Sequence, residues 1–287
     1  MKIIKYFFEF LFIIILLIIF KIIGLKLASN FGALIAGLLG PFFRSKKRIV
    51  SNIKKALPDI GERNIELIIK NMWKNYGRIL SEYVFIKNFR NLEYQKFLTI
   101  EGKEILNEIK YSNKPVVFVS GHFNNFELMA MEIEKTGINL AAIYRPLNNI
   151  FLNKIMERIR IKYICRKQIK KGRSGTRELL DSFKKNYSIA LMIDQRVSEG
   201  IELDFFGEKA LTTTIPAQLV KKFGCKIVPI YIERLNGINF KMKVNKPIIY
   251  NRESTIDDIT LDLNKWLENM ILTNPNQWIW SHNRWKE

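Results

Sequence analysis

Histidine and cysteine are nearly absent from this chain: 287 residues hold two of each. His122 and His282 are the histidines, and Cys165 and Cys225 sit far apart without metal-type spacing. A zinc site therefore lacks ligands, a disulfide framework lacks thiols, and a reducing compartment is the simpler expectation. No Gly-x-Ser-x-Gly elbow and no phosphate-cradling glycine loop occurs; Gly172-Arg173-Ser174-Gly175 is too short and too basic to be one. Internal repeats are missing, and no low-complexity linker follows residue 50. Acid is also scarce, with 27 Asp and Glu against 47 Lys and Arg and a formal charge of +20. A balance that basic calls for an acidic partner, whether anionic lipid, acidic protein or nucleic acid.

Apolar residues, by contrast, make up 48% of the chain and are concentrated at its start. Phe10 to Phe20 is unbroken, and from Ile3 to Leu27 only Lys5, Glu9, Lys21 and Lys26 interrupt the run. Twenty predominantly apolar residues suffice to span a bilayer, with Lys21 snorkelling and Glu9 near an interface. A second stretch, 31–43, is too short to span easily and reads as an interfacial segment. Arg44, Lys46, Lys47, Arg48, Lys54 and Lys55 follow, placing this side in the cytoplasm and against anionic headgroups. The expected organisation is a membrane anchor over 1–43, with its transmembrane helix at 3–27, and a cytoplasmic domain over 44–287.

Beyond the anchor, apolar residues recur at helical spacing from Glu62 to Phe89. Strands and helices then alternate. Strands are expected at 116–120, 139–144, 188–193 and 226–233, with an edge strand at 240–244. Helices are expected at 126–135, 150–163, 175–185, 215–223 and 257–273. This pattern predicts an α/β domain with a mostly parallel sheet flanked by helices, whose site lies at the strand C-terminal ends. His122, Arg145 and Asp194 all fall there.

Ser120-Gly121-His122-Phe123-Asn124-Asn125-Phe126-Glu127 is the segment richest in chemistry. Five positions on a regular helix turn through about 500°, which points two side chains roughly 140° apart. His122 and Glu127 meet only if His122 lies in the preceding turn, with Asn124 or Asn125 capping the helix. Glu127 is then expected to fix the imidazole tautomer and leave the other nitrogen as general base. Between Asn153 and Arg173 stand nine cations and one acid, a helical face suited to phosphates or carboxylates. Asp194-Gln195 closes a buried strand, where the carboxylate either orders an arginine or caps a turn. The aromatic spacing of Trp278, Trp280 and Trp285 around His282 reads as packing rather than catalysis.

Taken in order, these segments resemble the late acyltransferases of lipid A assembly, the lauroyl/myristoyl transferase family. The resemblance rests on His122-x4-Glu127, Tyr144-Arg145-Pro146, the basic segment with Arg160, and Asp194-Gln195. Phe205-Phe206-Gly207, Thr212 to Pro216 and Trp280-x-His282-x-Arg284-Trp285 add to it. It implies a glycerol-phosphate-acyltransferase-like fold and an inner-membrane enzyme that needs no metal and no bound cofactor. The donor would be an acyl carrier protein thioester and the acceptor a hydroxyl of an anionic glycolipid, a lipid A precursor, with nucleic acid excluded as partner. His122 and Glu127 would be catalytic and Arg160 would hold the oxyanion, with Asp194 positioning or balancing it. Arg145 and Arg173 would bind headgroup phosphates. Arg158 and Lys162 flank Arg160 and compete for its role, and Arg196 competes for Asp194. The rival acceptors are a lysophospholipid or another glycolipid, and the rival class is a membrane-tethered basic module without catalysis.

Overall fold

The computed structural model describes residues 2–91 and 93–286, with the Arg173 side chain left out. Two apolar helices open the chain, α1 (Lys2–Ile23) and α2 (Leu25–Leu39), joined at Gly24. Gly24 has φ of +81°, a conformation that costs glycine little, and it interrupts what is otherwise one hydrophobic run. The break at Gly24 makes one continuous helix of residues 25–39, where a separate segment beginning at residue 31 was expected. By length and composition both Lys2–Ile23 and Leu25–Phe42 are apolar enough to cross a membrane. They differ in company. Only 6% of the α1 stretch is buried in protein against 33% of the second.

After α3 (Lys46–Ala56), the long helix α4 (Glu62–Glu82) carries Ile65, Ile68, Ile69, Met72 and Trp73 on its buried face, the 3.6-residue stripe of an amphipathic helix. α2 lies against α4 where Gly32 meets Gly77. A Cβ built on Gly77 would come within 1.9 Å of the Gly32 carbonyl oxygen, so the two backbones touch only because neither residue has a side chain. α5 (Ile86–Arg90) leads into the sheet domain.

That domain runs β1 (Leu98–Glu101), α6 (Lys103–Ser112), β2 (Val117–Ser120), α7 (Glu127–Lys135), β3 (Leu140–Tyr144), α8 (Ile150–Ile159), β4 (Lys167–Lys170), α9 (Arg173–Lys184), β5 (Ser188–Met192), β6 (Ile201–Phe205), β7 (Glu208–Thr212), α10 (Ile215–Phe223), β8 (Ile227–Asn236), β9 (Asn239–Val244) and α11 (Ile256–Thr273). Seven strands form one sheet in the order β1-β9-β8-β2-β5-β3-β4, while β6 and β7 pair as a separate hairpin. From β8 to β4 all neighbours are parallel; β9 turns back antiparallel on β8, and β1 runs parallel to β9. The expected mostly parallel α/β sheet is therefore present. β2 is buried along its whole length, as a strand covered on both faces must be.

Three local expectations change. The 240–244 strand is not an edge, because β1 covers it. The helix expected over 150–163 ends at Ile159 in a π-helical turn, Arg160–Ile164. Lys167–Lys170, expected on a basic helical face, is instead the edge strand β4. The nine cations consequently disperse: Arg166 reaches Glu134, Lys167 lies over the Tyr187 ring, and Lys170 pairs with Glu157.

Candidate active site

β2, β5 and β3 are neighbours in the sheet, and the chain leaves each of them at the same end. That topology brings His122, Asp194 and Arg145 to one rim although the sequence holds them far apart. Residues 121–126 form a tight loop ahead of α7, the turn that the sequence requires. Asn124 has φ of +45°, and its backbone N–H and side chain both bind Gln277. Asn125 donates to the buried Glu82. Neither asparagine caps α7; both hold the loop down, and Phe123 anchors it in the core against the Tyr231 ring.

This loop aims His122 at Asp194. The His122 Nδ1–H donates to Asp194 Oδ1 at 2.7 Å, and the His122 backbone N–H donates to Oδ2 at 2.8 Å. Trp278 Nε1 donates to the same Oδ2 at 2.9 Å. Asp194 is wholly buried, yet three donors converge on it. Burial pushes its carboxyl up, but the His122 charge and these hydrogen bonds outweigh burial and hold it below its ordinary value. His122 responds in the opposite sense. Burial pushes the imidazole down, the Asp194 charge and hydrogen bond overcome that, and the result lies above the ordinary value. With Nδ1–H committed to Asp194, the Nε2 lone pair is left for the cleft.

Glu127 does not orient the imidazole. Arg160 donates to Glu127 Oε1 twice, from Nε at 2.8 Å and from a terminal nitrogen at 2.5 Å. The layout that the five-residue spacing requires is present, with His122 in the turn before α7 and Glu127 at its start, but Asp194 takes the imidazole and Arg160 takes Glu127. Glu127 acts on His122 through space, its charge adding to the rise that Asp194 produces. The π-helical turn widens the helix end where Arg160 sits, as such turns frequently do at functional sites. Of the three competing cations, Arg160 lines the cleft, whereas Arg158 and Lys162 are exposed elsewhere. Arg196 does not pair with Asp194. Its side chain reaches Ser198 and its backbone N–H donates to His282.

A cleft of about 750 Å³ opens at this rim. Its inner end runs along one sheet face, where Phe118, Ala190 and Ala142 form a register row, roofed by Met129, Ala130 and Ile133 of α7. Alanines at the middle of that row leave space that larger side chains would fill. Its mouth carries Arg44, Arg48, Arg145 and Lys171, and Glu127, already bound to Arg160, is the one acid in the lining. None of these four side chains has an acidic partner among the described residues. Arg173 was expected here too; the α9 backbone starts at it, but its side chain lies outside the described residues. No cluster of three metal-ligating side chains occurs among the described residues.

Sequence reasoning missed Trp278 and His282, which it assigned to packing, and Arg44 and Arg48, which it assigned to a headgroup-facing linker. Tertiary distance hid them: Asn52 of α3 holds the Trp280 and His282 carbonyls, folding the 278–285 strap over the rim. Arg284, wholly buried, fastens the strap to Leu211 and Thr212.

An imidazole oriented by a buried carboxylate, beside an arginine, in a cleft with an apolar inner end and a basic mouth, is equipped for general-base chemistry on an apolar, anionic substrate. The model of the bacterial lipid A biosynthesis acyltransferases matches residues 1–287. The chain belongs to that family. It is 24% identical to lipid A biosynthesis acyltransferase 2 of Shigella flexneri over 249 residues, covering 83% of this chain and 76% of the relative. It is 22% identical to the lipid A biosynthesis palmitoleoyltransferase of Escherichia coli K12 over 259 residues, 89% of this chain and 83% of the relative. The lipid A biosynthesis myristoyltransferase of the same organism is 22% identical over 250 residues, 85% and 76%.

Proposed function

We propose that this acyltransferase moves a fatty acyl chain from an acyl carrier protein thioester to a hydroxyl of a lipid A precursor, a secondary acylation in lipopolysaccharide assembly. The single observation that carries this reading is the position of His122. Its free Nε2 belongs to the same cleft as an apolar end shaped for a hydrocarbon and a mouth lined by four cations without an acidic partner among the described residues. Nε2 takes the proton of the acceptor hydroxyl, whose oxygen attacks the thioester carbonyl. The oxyanion is met by Arg160, which lines the cleft with its guanidinium plane fixed by Glu127. The C–S bond then breaks, and the thiolate receives the proton from His122. Asp194 keeps the imidazole in the productive tautomer and stabilises the imidazolium. Arg44, Arg48, Arg145 and Lys171 suit the phosphates of an anionic glycolipid and the acidic surface of a carrier protein.

Membrane placement follows the same logic. The exposed apolar surface of α1 supports a membrane anchor within 3–27. Residues 31–43 then end at the interface, where Phe42 and Phe43 are 85% and 75% exposed immediately before Arg44. Residues 44–287 form the catalytic domain on the cytoplasmic face of the inner membrane. Asn149, at the start of α8, donates to the Tyr6 carbonyl of α1, and Phe151 packs on Phe7 and Phe10. The cleft mouth is thereby fastened beside the anchor, where a lipid acceptor resides.

The test uses detergent-solubilised full-length protein with carrier-protein thioesters of several chain lengths and a tetra-acylated lipid A precursor, products being read by mass. One added acyl mass, lost in His122→Ala, is the expected result. Transfer only to a penta-acylated precursor or a lysophospholipid would keep the chemistry and replace the acceptor. Folded protein that acylates none of them would overturn the reading.

A further inference from the structure

His282 shares the cleft with His122, but its ring is built for the opposite task. Its Nε2 accepts a hydrogen bond from the Arg196 backbone N–H at 3.0 Å. A ring nitrogen that accepts carries no proton, so the neutral imidazole bears its hydrogen on Nδ1. Protonation of the ring would destroy that acceptor. The charged and titratable groups acting on it are Asp194, His122, Arg284 and Lys171, of which only Asp194 favours a cation. Burial, aided by His122, Arg284 and Lys171 and opposed by Asp194, pushes the imidazole down to about 4.

The ring is also held rigidly at both ends of its backbone. Asn52 Nδ2 donates to the His282 carbonyl at 2.7 Å, and the His282 N–H donates to the Ile279 carbonyl at 3.2 Å. On its N-terminal side, the Ser281 hydroxyl meets the Tyr76 hydroxyl at 3.2 Å. A solvent-facing packing residue would need none of this. The arrangement leaves one N–H, Nδ1–H, without a protein partner among the described residues, on a half-buried ring in the wall of a reaction cleft.

We infer that His282 is a catalytic residue, a permanently neutral donor whose Nδ1–H binds the oxyanion formed when the acceptor hydroxyl attacks the thioester carbonyl. The inference rests on the acyl-transfer reading above. A neutral imidazole is well suited to this duty: it donates to a developing negative charge without competing with His122 for a proton. The tetrahedral oxygen thus receives a charged donor, Arg160, from one wall and a neutral one, His282, from the strap. When the C–S bond breaks, the oxygen becomes the ester carbonyl and both donors keep their protons. The transfer of the single mobile proton stays with His122.

Two substitutions separate the two ring nitrogens. His282→Asn keeps an N–H near the Nδ1 position and gives up the acceptor for Arg196. His282→Gln keeps an acceptor near Nε2 and gives up the donor. The expected result is a loss of about 10²- to 10³-fold in kcat for His282→Gln, with KM within about threefold, and a loss at least tenfold smaller for His282→Asn. Equal losses in both, or a glutamine variant within about threefold of the parent, would overturn the assignment. A second measurement does not depend on any variant folding, or on activity. The chain has only two histidines, so ¹⁵N-histidine labelling yields two imidazole spectra. One is expected to titrate above the ordinary histidine value, and the other to remain the neutral Nδ1–H tautomer down to pH 5. A second ring that titrates near 6.5, or that shows the Nε2–H tautomer, would sink the inference. Wild-type protein that transfers no acyl chain would instead refute the acyl-transfer reading, while leaving the spectra interpretable.

Discussion

Two buried carboxylate–guanidinium pairs lie under and beside the cleft, and they are used differently. Glu82 and Arg234 form a bidentate pair, 2.6 and 2.9 Å, with side chains 0% and 8% exposed. Glu82 also receives Ser29 from α2 and Asn125 from the His122 loop, so every oxygen is occupied from within the protein. Glu127 and Arg160 are only slightly more exposed, 9% and 13%, but Arg160 keeps one side turned to the cleft. The first pair is closed and joins four segments, α4, β8, α2 and the His122 loop, into a platform. The second is open and presents a charge. Burial alone does not distinguish structural from chemical ion pairs; the direction of the unused donors does.

Changes on the cleft side should cost activity and spare stability, and changes to the platform should do the reverse. The largest effect is expected for His122→Ala: a loss of about 10³- to 10⁴-fold in transfer rate, with a smaller fall in thermal midpoint than for a change to the platform because Asp194 keeps its Trp278 and backbone donors, read by product mass and calorimetry. Arg234→Met comes next. It strands Glu82 as an uncompensated buried charge and should destabilise the fold by about 3–5 kcal/mol. The partner change Glu82→Leu on top of it should recover much of the loss in a denaturation series. A third, smaller effect is expected for Glu127→Gln, which leaves Arg160 charged but loosely held: about 10- to 10²-fold in rate, with little change in midpoint. If Glu127→Gln instead unfolds the protein while Arg234→Met slows only catalysis, the contrast between the pairs is reversed.

The mildest test is pH. His122 must be neutral to act as base, and its folded value is raised, so the acid limb of the rate profile should lie above 6.5. Asp194→Asn removes the main cause of that rise and should shift the limb downward as well as slowing transfer. The same shift has a stability consequence of known sign. A raised histidine stabilises the fold fully below its unfolded value, and that contribution disappears as pH rises through the folded one.

Much of this site could be read in the sequence, and the reason is topological. In a parallel sheet the strand ends collect functional side chains, so His122, Arg145 and Asp194 were each legible from their position after an apolar run. Their pairing was not. That β2 and β5 are neighbours is a property of strand order, and nothing local to residue 122 announces a carboxylate at residue 194. Glu127, near in sequence, drew the assignment that Asp194 holds in space. The strand β4 was hidden because Lys167-Gln168-Ile169-Lys170 has a single large apolar residue, as an edge strand tolerates. The helix boundary at Leu25 was missed because the charges at Lys21 and Lys26 drew attention from Gly24, where the backbone turns.

Trp278, which holds Asp194, and His282, in the cleft wall, come from a strap that emerges after every strand of the sheet. Chains are made from the N-terminus at roughly 5–20 residues per second. The apolar helices and the whole sheet therefore leave the ribosome before Asp194 has its indole donor or Arg196 its imidazole acceptor. Completion of the His122–Asp194–Trp278 arrangement is a late event in the life of each molecule. A copy still under synthesis lacks both contacts until the strap docks on Asn52.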